Sequence, residues 1–442
     1  MSPPAGDDDR HADEEPPAGT GSHNRLVPPS IHGRDARLLF ATRGLRMFGY
    51  GFVSVVLVLY LAALGIDTAT IGLLLTLTLA GDAVISLWLT THADRVGRRR
   101  VLLAGALLMC LAGLGFAATD AFAVLALAAT VGVISPSGNE VGPFLAVEQA
   151  SLAQTIPDRA RTSVFAWFNL VGSFATATGA LAGGGLAGAL IASGVRSVDA
   201  YRGIIVGYAI LGLLLGVLFT RVSPAVEVPD APDVSVARRL GLHRSQRTVA
   251  KLSALFALDA FGGGFVVQSL IAYWFRVRFG ADPAIIGGIL FGANLLAGLS
   301  ALLAARIAAR IGLVRTMVFT HLPSNVLLIM VPLMPTLPLA ALVLLARFSI
   351  SQMDVPTRQS YTMAVVEPDE RSAAAGVTGI ARSIGAALAP LASAPLIGGV
   401  VLASLPFVIS GGLKIVYDLL LYRSFVSGPA CSRPCRSQGG SP

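Results

Sequence analysis

Charge is scarce in this chain. Only 13% of its 442 residues are Asp, Glu, Lys or Arg, against about 25% in an ordinary soluble domain. Lysine is nearly missing, with Lys251 and Lys414 alone. Cysteine occurs three times, at Cys110, Cys431 and Cys435. That spacing supports neither a disulfide framework nor a zinc site, so no metal and no cofactor are expected. There is no Walker A motif, nucleophile elbow, HExxH or dinucleotide fingerprint. Direct ATP drive is thereby excluded, and nothing points to an enzyme. His92, His243 and His321 stand isolated in sequence and read as incidental.

What the chain has in quantity is apolar surface. Hydrophobic residues make up 54%, mean hydropathy is +0.72, and apolar runs of about 18 or more residues recur, each able to cross the roughly 30 Å hydrocarbon layer as a helix. These runs are apolar nearly all round, unlike the one-sided helices of a soluble domain. The expected fold class is therefore an all-α membrane protein embedded in a lipid bilayer. The net charge of +8 comes mostly from arginine. In a soluble protein it would suggest nucleic acid; in a membrane protein basic loops set topology, and no nucleic-acid partner is expected.

Twelve spans are expected, near 37–64, 69–93, 100–119, 121–148, 162–193, 202–220, 251–275, 284–309, 314–335, 337–364, 372–398 and 400–424. They divide the chain into a tail (1–36), a first six-helix bundle (37–220), a polar linker (221–250), a second bundle (251–424) and a tail (425–442). The acidic, proline-rich start ("DDDRHADEEPPAG") reads as a disordered tail and lacks the pattern of a signal peptide. Arginine crowds the loops at 94–100, 158–161, 221–251, 306–315 and 358–371 and the C-terminal tail. The opposite loops hold only Arg196, Arg202, Arg276 and Arg278. The positive-inside rule puts the first set and both termini in the cytoplasm, with the protein in the inner or plasma membrane.

The two bundles repeat one another. "GIDTATIGLLL" (65–75) lies against "GADPAIIGGIL" (280–290), and "DRVGRRR" against "ARIGLVR" at the same offset. "EQASLAQTIPDRARTS" (148–163) lies against "RQSYTMAVVEPDERSA" (358–373), matching Gln149 to Gln359. "GYGF" (49–52) faces "GGGF" (262–265), which sets Asp259 opposite Arg46. Registers in the same order imply two pseudo-symmetric halves in parallel orientation.

Six plus six helices, a long linker and the loop "THADRVGRRR" (91–100) together resemble the major facilitator superfamily over residues 37–424. The family's loop signature, G-x-x-x-D-R-x-G-R-R/K, is matched at Asp94, Arg95, Gly97, Arg98 and Arg99, with Thr90 in the leading glycine position. The resemblance implies a monomeric secondary transporter of a small molecule, working by alternating access. It also implies a cytoplasmic gate made of Asp94, Arg95, Gly97, Arg98, Arg99 and Glu148. Asp94 would face the start of span 11, and Arg98 or Arg99 would pair with Glu148. "GALAGG" (179–184) is similar to the G-P-x-x-G-G motif of the family's antiporters but has Ala180 for proline; its glycines also suit plain helix packing.

Ionisable groups within hydrocarbon are costly, and each is a candidate for function. Glu140, Asp82 and Asp259 are the candidate proton-coupling carboxylates. Arg46, Tyr50, Asn139, Arg347, Gln352, Asp354 and Arg382 are candidates for the substrate cavity. Arg46, Arg347 and Arg382 suit a carboxylate or phosphate group, which guanidinium binds bidentately. Arg347 and Asp354, seven apart, would share one face of span 10. Pro136 and Pro143 with two glycines should bend or unwind span 4, and Pro356 should kink span 10. The expected function is proton-coupled transport, with efflux preferred. Proton-coupled import of an organic anion or other metabolite is the alternative, and a non-transporting sensor is a reading of a different class.

Overall fold

The computed structural model describes residues 33–140, 142–156, 161–227, 243–367, 370–399 and 402–425, and shows helices with no strand among the described residues. Among the described residues, ten helical segments are long and apolar enough to cross a membrane. They supply spans 1 (Arg34–Ala63), 2 (Thr68–Val96), 3 (Arg98–Ala118), 5 (Arg161–Ala192), 6 (Ser197–Thr220), 7 (Gln246–Phe279), 8 (Pro283–Ile311), 9 (Leu313–Leu333), 11 (Arg371–Ile397) and 12 (Leu405–Phe425). Spans 4 and 10 are each two shorter helices across a break, Phe122–Val131 with Phe144–Thr155, and Leu337–Phe348 with Asp354–Val365. Large apolar side chains such as Leu111, Leu213 and Leu342 are exposed on the outside of the bundle, as a lipid-facing surface requires.

The start and stop signals repeat between halves. Asp67 caps span 2, accepting the amides of Ala69 and Thr70 at 3.0 Å each, and Asp282 caps span 8 through the amide of Ala284 at 2.8 Å. Gly97 and Gly312 sit at φ 102° and 87°, a left-handed region costly for residues with a Cβ, and each separates one span from the next. The "GYGF" and "GGGF" stretches lead into matching interruptions, at Val55–Val56 in span 1 and Phe265–Val267 in span 7.

The packing partners repeat as well. Span 1 packs on span 5 and span 3 on span 6; in the second half span 7 packs on span 11 and span 9 on span 12. Between halves, span 5 lies along span 8, span 2 along span 11, and the second segments of spans 1 and 7 touch. Small residues make these approaches close. A Cβ on Gly179 would strike the carbonyl oxygen of Phe48, and one on Gly183 that of Phe52, both in span 1; on Gly184 it would strike Pro283 in span 8. The glycines of "GALAGG" are thus accounted for by helix packing.

Several boundaries differ from those the sequence suggests. Span 1 begins at Arg34 and span 7 at Gln246, so the linker is shorter at its end than 221–250. Span 10 is not one helix, because residues 349–353 leave helical geometry. Pro356 does not kink it; it sits in the first turn of the helix Asp354–Val365, where a missing N–H has no partner to lose. Span 4 is unwound over 132–140 and 142–143, as its prolines and glycines suggest. The freed carbonyls find donors: the Tyr208 hydroxyl reaches Val133 O at 2.7 Å and the Ser135 hydroxyl Asn139 O at 2.8 Å.

Candidate functional site

Each half holds a cluster of charged side chains. In the first, Arg46 of span 1 is wholly buried and forms a double hydrogen bond with Glu148, Nη1 to Oε1 and Nη2 to Oε2, both 2.7 Å. Its Nε donates to Glu140 Oε1 at 2.9 Å. Arg43, one helical turn away, pairs with Glu140, and the Thr42 hydroxyl adds a bond to Glu148 at 2.9 Å. Glu140 lies in the unwound part of span 4 and Glu148 in the helix that follows, so the break lets one span approach Arg46 twice. The Arg46 guanidinium also lies 4.5 Å from the centre of the Phe144 ring. Tyr50 is buried beneath it in the core.

In the second half the central group is Asp259 of span 7. Its Oδ1 accepts from Lys414 Nζ of span 12 at 2.6 Å, with His321 Nε2 of span 9 at 3.8 Å. Its Oδ2 accepts from Arg358 of span 10 at 3.2 Å and Arg382 of span 11 at 3.4 Å. Arg358 also binds Asp354 at 2.8 Å. Behind Lys414, Asp418 bonds His321 Nδ1 at 2.9 Å and accepts from Asn325 Nδ2 at 2.9 Å.

The register of the repeat makes these clusters counterparts. Asp259 stands where Arg46 does, and Arg358, one residue before Gln359, stands where Glu148 does. The same two positions carry a buried ion pair in both halves with the signs exchanged. The surrounding balance also differs. The first cluster sets Arg43 and Arg46 against Glu140 and Glu148; the second sets Arg347, Arg358, Arg382 and Lys414 against Asp259, Asp354 and Asp418.

The remaining expected residues fall as follows. Asp82 forms no ion pair with Arg43 or Arg46; it accepts the Gly142 amide at 2.6 Å and the Ser86 hydroxyl at 3.2 Å, and so anchors the unwound part of span 4. Asn139 is exposed in that segment and Gln352 is half-buried in the break of span 10. Arg347 does not pair with Asp354, because the break rotates one away from the other and Arg358 takes Asp354 instead. The Arg347 guanidinium lies 4.8 Å from the Phe348 ring centre, and its buried Nε has no hydrogen-bond partner among the described residues. Arg46 is fully buried and spends three of its five N–H donors on Glu140 and Glu148.

The expected pairing of Arg98 or Arg99 with Glu148 is not formed in this structure. Glu148 is buried on Arg46, away from the loop. Instead Glu227, just past span 6, accepts the amides of Arg98 and Arg99 at 2.7 and 3.1 Å, capping span 3 from a distance. Arg99 Nη2 donates to Thr220 O at 2.6 Å and Arg98 Nη1 to Val226 O at 3.3 Å. Arg95 is exposed and Gly97 forms the turn. The Asp94 side chain lies outside the described residues. At the other end of the linker, Glu370 accepts the amides of His243, Arg244 and Ser245 ahead of span 7. These donors, led by the His243 amide, hold its carboxyl down at about 2.

Sequence reasoning missed His321, Asn325, Lys414 and Asp418 in the second cluster, and the polar contacts between halves. The Gln268 amide donates to the Ser54 hydroxyl at 2.7 Å, and the Ser269 amide and hydroxyl both donate to Pro136 O, at 3.0 and 2.6 Å. A signal was present: His321 with Asn325, and Lys414 with Asp418, are each four apart, which puts each pair on one helical face.

Residues 39–390 match the Major Facilitator Superfamily. The chain belongs to the Major Facilitator Superfamily. An uncharacterized membrane protein of Saccharomyces cerevisiae, YJR124C, is 31% identical over 423 residues, covering 89% of this chain and 94% of that one. Among solved structures, the nucleoside transporter NupG aligns with a TM-score of 0.67 at 14% identity, over 88% of this chain and 99% of its own. A D-xylose-proton symporter aligns with a TM-score of 0.67 at 15% identity, over 88% and 97%. At such identities these two show the shared fold. The superfamily fold makes this a multi-pass secondary transporter whose halves enclose a small-molecule path.

Proposed function

We propose that this superfamily member carries a small organic anion together with protons, by alternating access, across the cell membrane with both termini on the cytoplasmic side. The observation that carries the reading is Arg382. Its side chain is 35% exposed, and it reaches, at 3.4 Å, an Asp259 that Lys414 and Arg358 already hold more closely. It is thus a guanidinium beside the path with binding capacity to spare. Arg347, also within electrostatic reach of Asp259, is a second. A carboxylate or phosphate would use the planar donor fork of either. Proton coupling is in keeping with the fold shared with the D-xylose-proton symporter. The span 5 glycines, the one feature that favoured efflux, are occupied by packing, so anion uptake is the reading advanced over export.

In this reading the Asp94 loop forms part of the cytoplasmic gate, with Glu227 fixing the loop to the linker. The test is uptake of radiolabelled succinate, glucuronate and glycerol 3-phosphate into proteoliposomes, beside neutral xylose and uridine. Uptake of an anion, accelerated by an imposed pH gradient and reduced about tenfold or more in Arg382→Gln, is expected. Uptake confined to the neutral probes contradicts the anion reading, and no flux of any probe favours the sensor reading.

A further inference from the structure

The buried histidine of the second half bonds Asp418 and lies beside Asp259. We infer that His321, held by Asp418 and Asn325 between spans 9 and 12, is the proton-carrying group, and that its charge reaches the substrate site through Asp259. The inference rests on the proton-coupled anion reading above and names the site and the sign of that coupling.

The position comes first. Spans 9 and 12 pack on one another and on spans 7, 8, 10 and 11 of their own half, whereas spans 2, 5, 8 and 11 carry most of the packing between halves. His321 is therefore behind the path. It is 4% exposed, Asp418 is fully buried and Asn325 is fully buried. A polar set hidden there is set back from the path, with His321 Nε2 3.8 Å from Asp259 Oδ1.

The chemistry comes second. Imidazole is the side chain whose ordinary range, near 6.5, spans neutral pH. Here it is placed between two carboxylates, with Nδ1 2.9 Å from Asp418 Oδ1 and Nε2 3.8 Å from Asp259 Oδ1. Neutral imidazole has one N–H and can donate to one of them; imidazolium has two and can donate to both. Proton uptake at Nε2 therefore completes a bridge from Asp418 to Asp259.

Every charged group facing this set takes part. Span 12 contributes Lys414 and Asp418, with the Tyr417 ring 6.0 Å from the imidazole. Span 7 contributes Asp259; span 10 Arg347, Asp354 and Arg358; span 11 Arg382. The arginines of span 8, Arg306 and Arg310, are exposed and do not face it. When imidazolium joins Lys414 on Oδ1, Asp259 is neutralised from that side, and Arg382 on Oδ2 is freed for a substrate anion. One added positive charge also favours an anion directly. Proton and anion thus bind in support of each other. Mutual support is the thermodynamic condition for symport, whereas exchange requires that one displace the other.

The experiment uses the full chain in lipid nanodiscs with 15N-labelled histidine, the His321 signals being identified by their loss in His321→Gln. The ring nitrogens of His321 are expected to show both the neutral and the doubly protonated pattern within the pH range over which the protein stays folded. A His321 held in one protonation state across that range overturns the inference. Asp418→Asn, which keeps shape and packing, is expected to displace that titration; an unaltered midpoint also overturns it. In proteoliposomes, half-saturation by the anion that the wild type carries among succinate, glucuronate and glycerol 3-phosphate is expected to rise with pH, by up to about tenfold per unit for one linked proton. That dependence should flatten in His321→Gln. A wild type that carries no anion contradicts the functional reading; a wild type that does, with His321→Gln keeping the same pH dependence, contradicts only the inference drawn here.

Discussion

Glu148 and Arg358 occupy the same place in the two halves and carry opposite charges, each paired to the equivalent residue of the first span in its half, Arg46 and Asp259. The pairs differ in tightness. Arg46 and Glu148 exchange two bonds of 2.7 Å with neither side chain exposed, whereas Asp259 is divided among Lys414, Arg358, Arg382 and His321. A saturated pair suits a fixed structural joint. A carboxylate with several competing cations suits a site where partners are exchanged.

The first half should therefore respond to mutation as a structural core. Arg46→Ala leaves Glu148 buried without its partner, a loss worth about 3–5 kcal/mol. Thermal unfolding in detergent should show it. Arg46→Ala combined with Glu148→Ala should destabilise by less than the sum of the single changes, because the double variant leaves less charge stranded.

Close packing between halves offers a second test. A side chain at Gly184 collides with Pro283 of span 8, whereas at Gly185 nothing lies within 4 Å. Spin labels at Val195→Cys and Arg278→Cys, with Cys110, Cys431 and Cys435 replaced by serine, report the end of the bundle where arginine is sparse. Gly184→Leu should lengthen that distance and Gly185→Leu should leave it unchanged.

The linker joints predict a pH dependence. Glu370 has its carboxyl near 2, against 4.5 when free, because it is bonded to the amides ahead of span 7. A depressed folded-state value means the contribution to stability is complete above about pH 5 and fades as the pH falls from about 4.5 toward 2. The difference in unfolding midpoint between wild type and Glu370→Gln should follow that course, being largest near neutrality and shrinking on acidification.

Glu227 should behave as a remote helix cap. Glu227→Gln weakens and Glu227→Ala removes the acceptor for the amides of Arg98 and Arg99. A loss of about 0.5–2 kcal/mol is expected for the alanine, the usual range for a cap, read again by thermal unfolding.

Much of the architecture was legible in the sequence because it rests on local and periodic signals. Span lengths follow from runs of apolar residues. The repeat was visible in Asp67 with Asp282 and Gly97 with Gly312, positions that a cap and a left-handed turn constrain. The unwinding of span 4 followed from Pro136, Pro143, Gly138 and Gly142. The sites were less legible because partners there are far apart in the chain. Arg347 and Asp354 looked like a pair only on the assumption of an unbroken helix. Glu148 was assigned to the loop arginines because it stood near the predicted end of its span; the break moves it inward to Arg46. His321 looked isolated because Asp418 lies 97 residues away.

The most direct test is internal acidification of proteoliposomes holding entrapped pyranine, with succinate, glucuronate or glycerol 3-phosphate added outside at equal pH. The account predicts that at least one of these anions drives protons inward in the wild type, and that Arg382→Gln slows the movement about tenfold or more. Acidification with xylose or uridine alone, or anion entry with no accompanying proton, would contradict it.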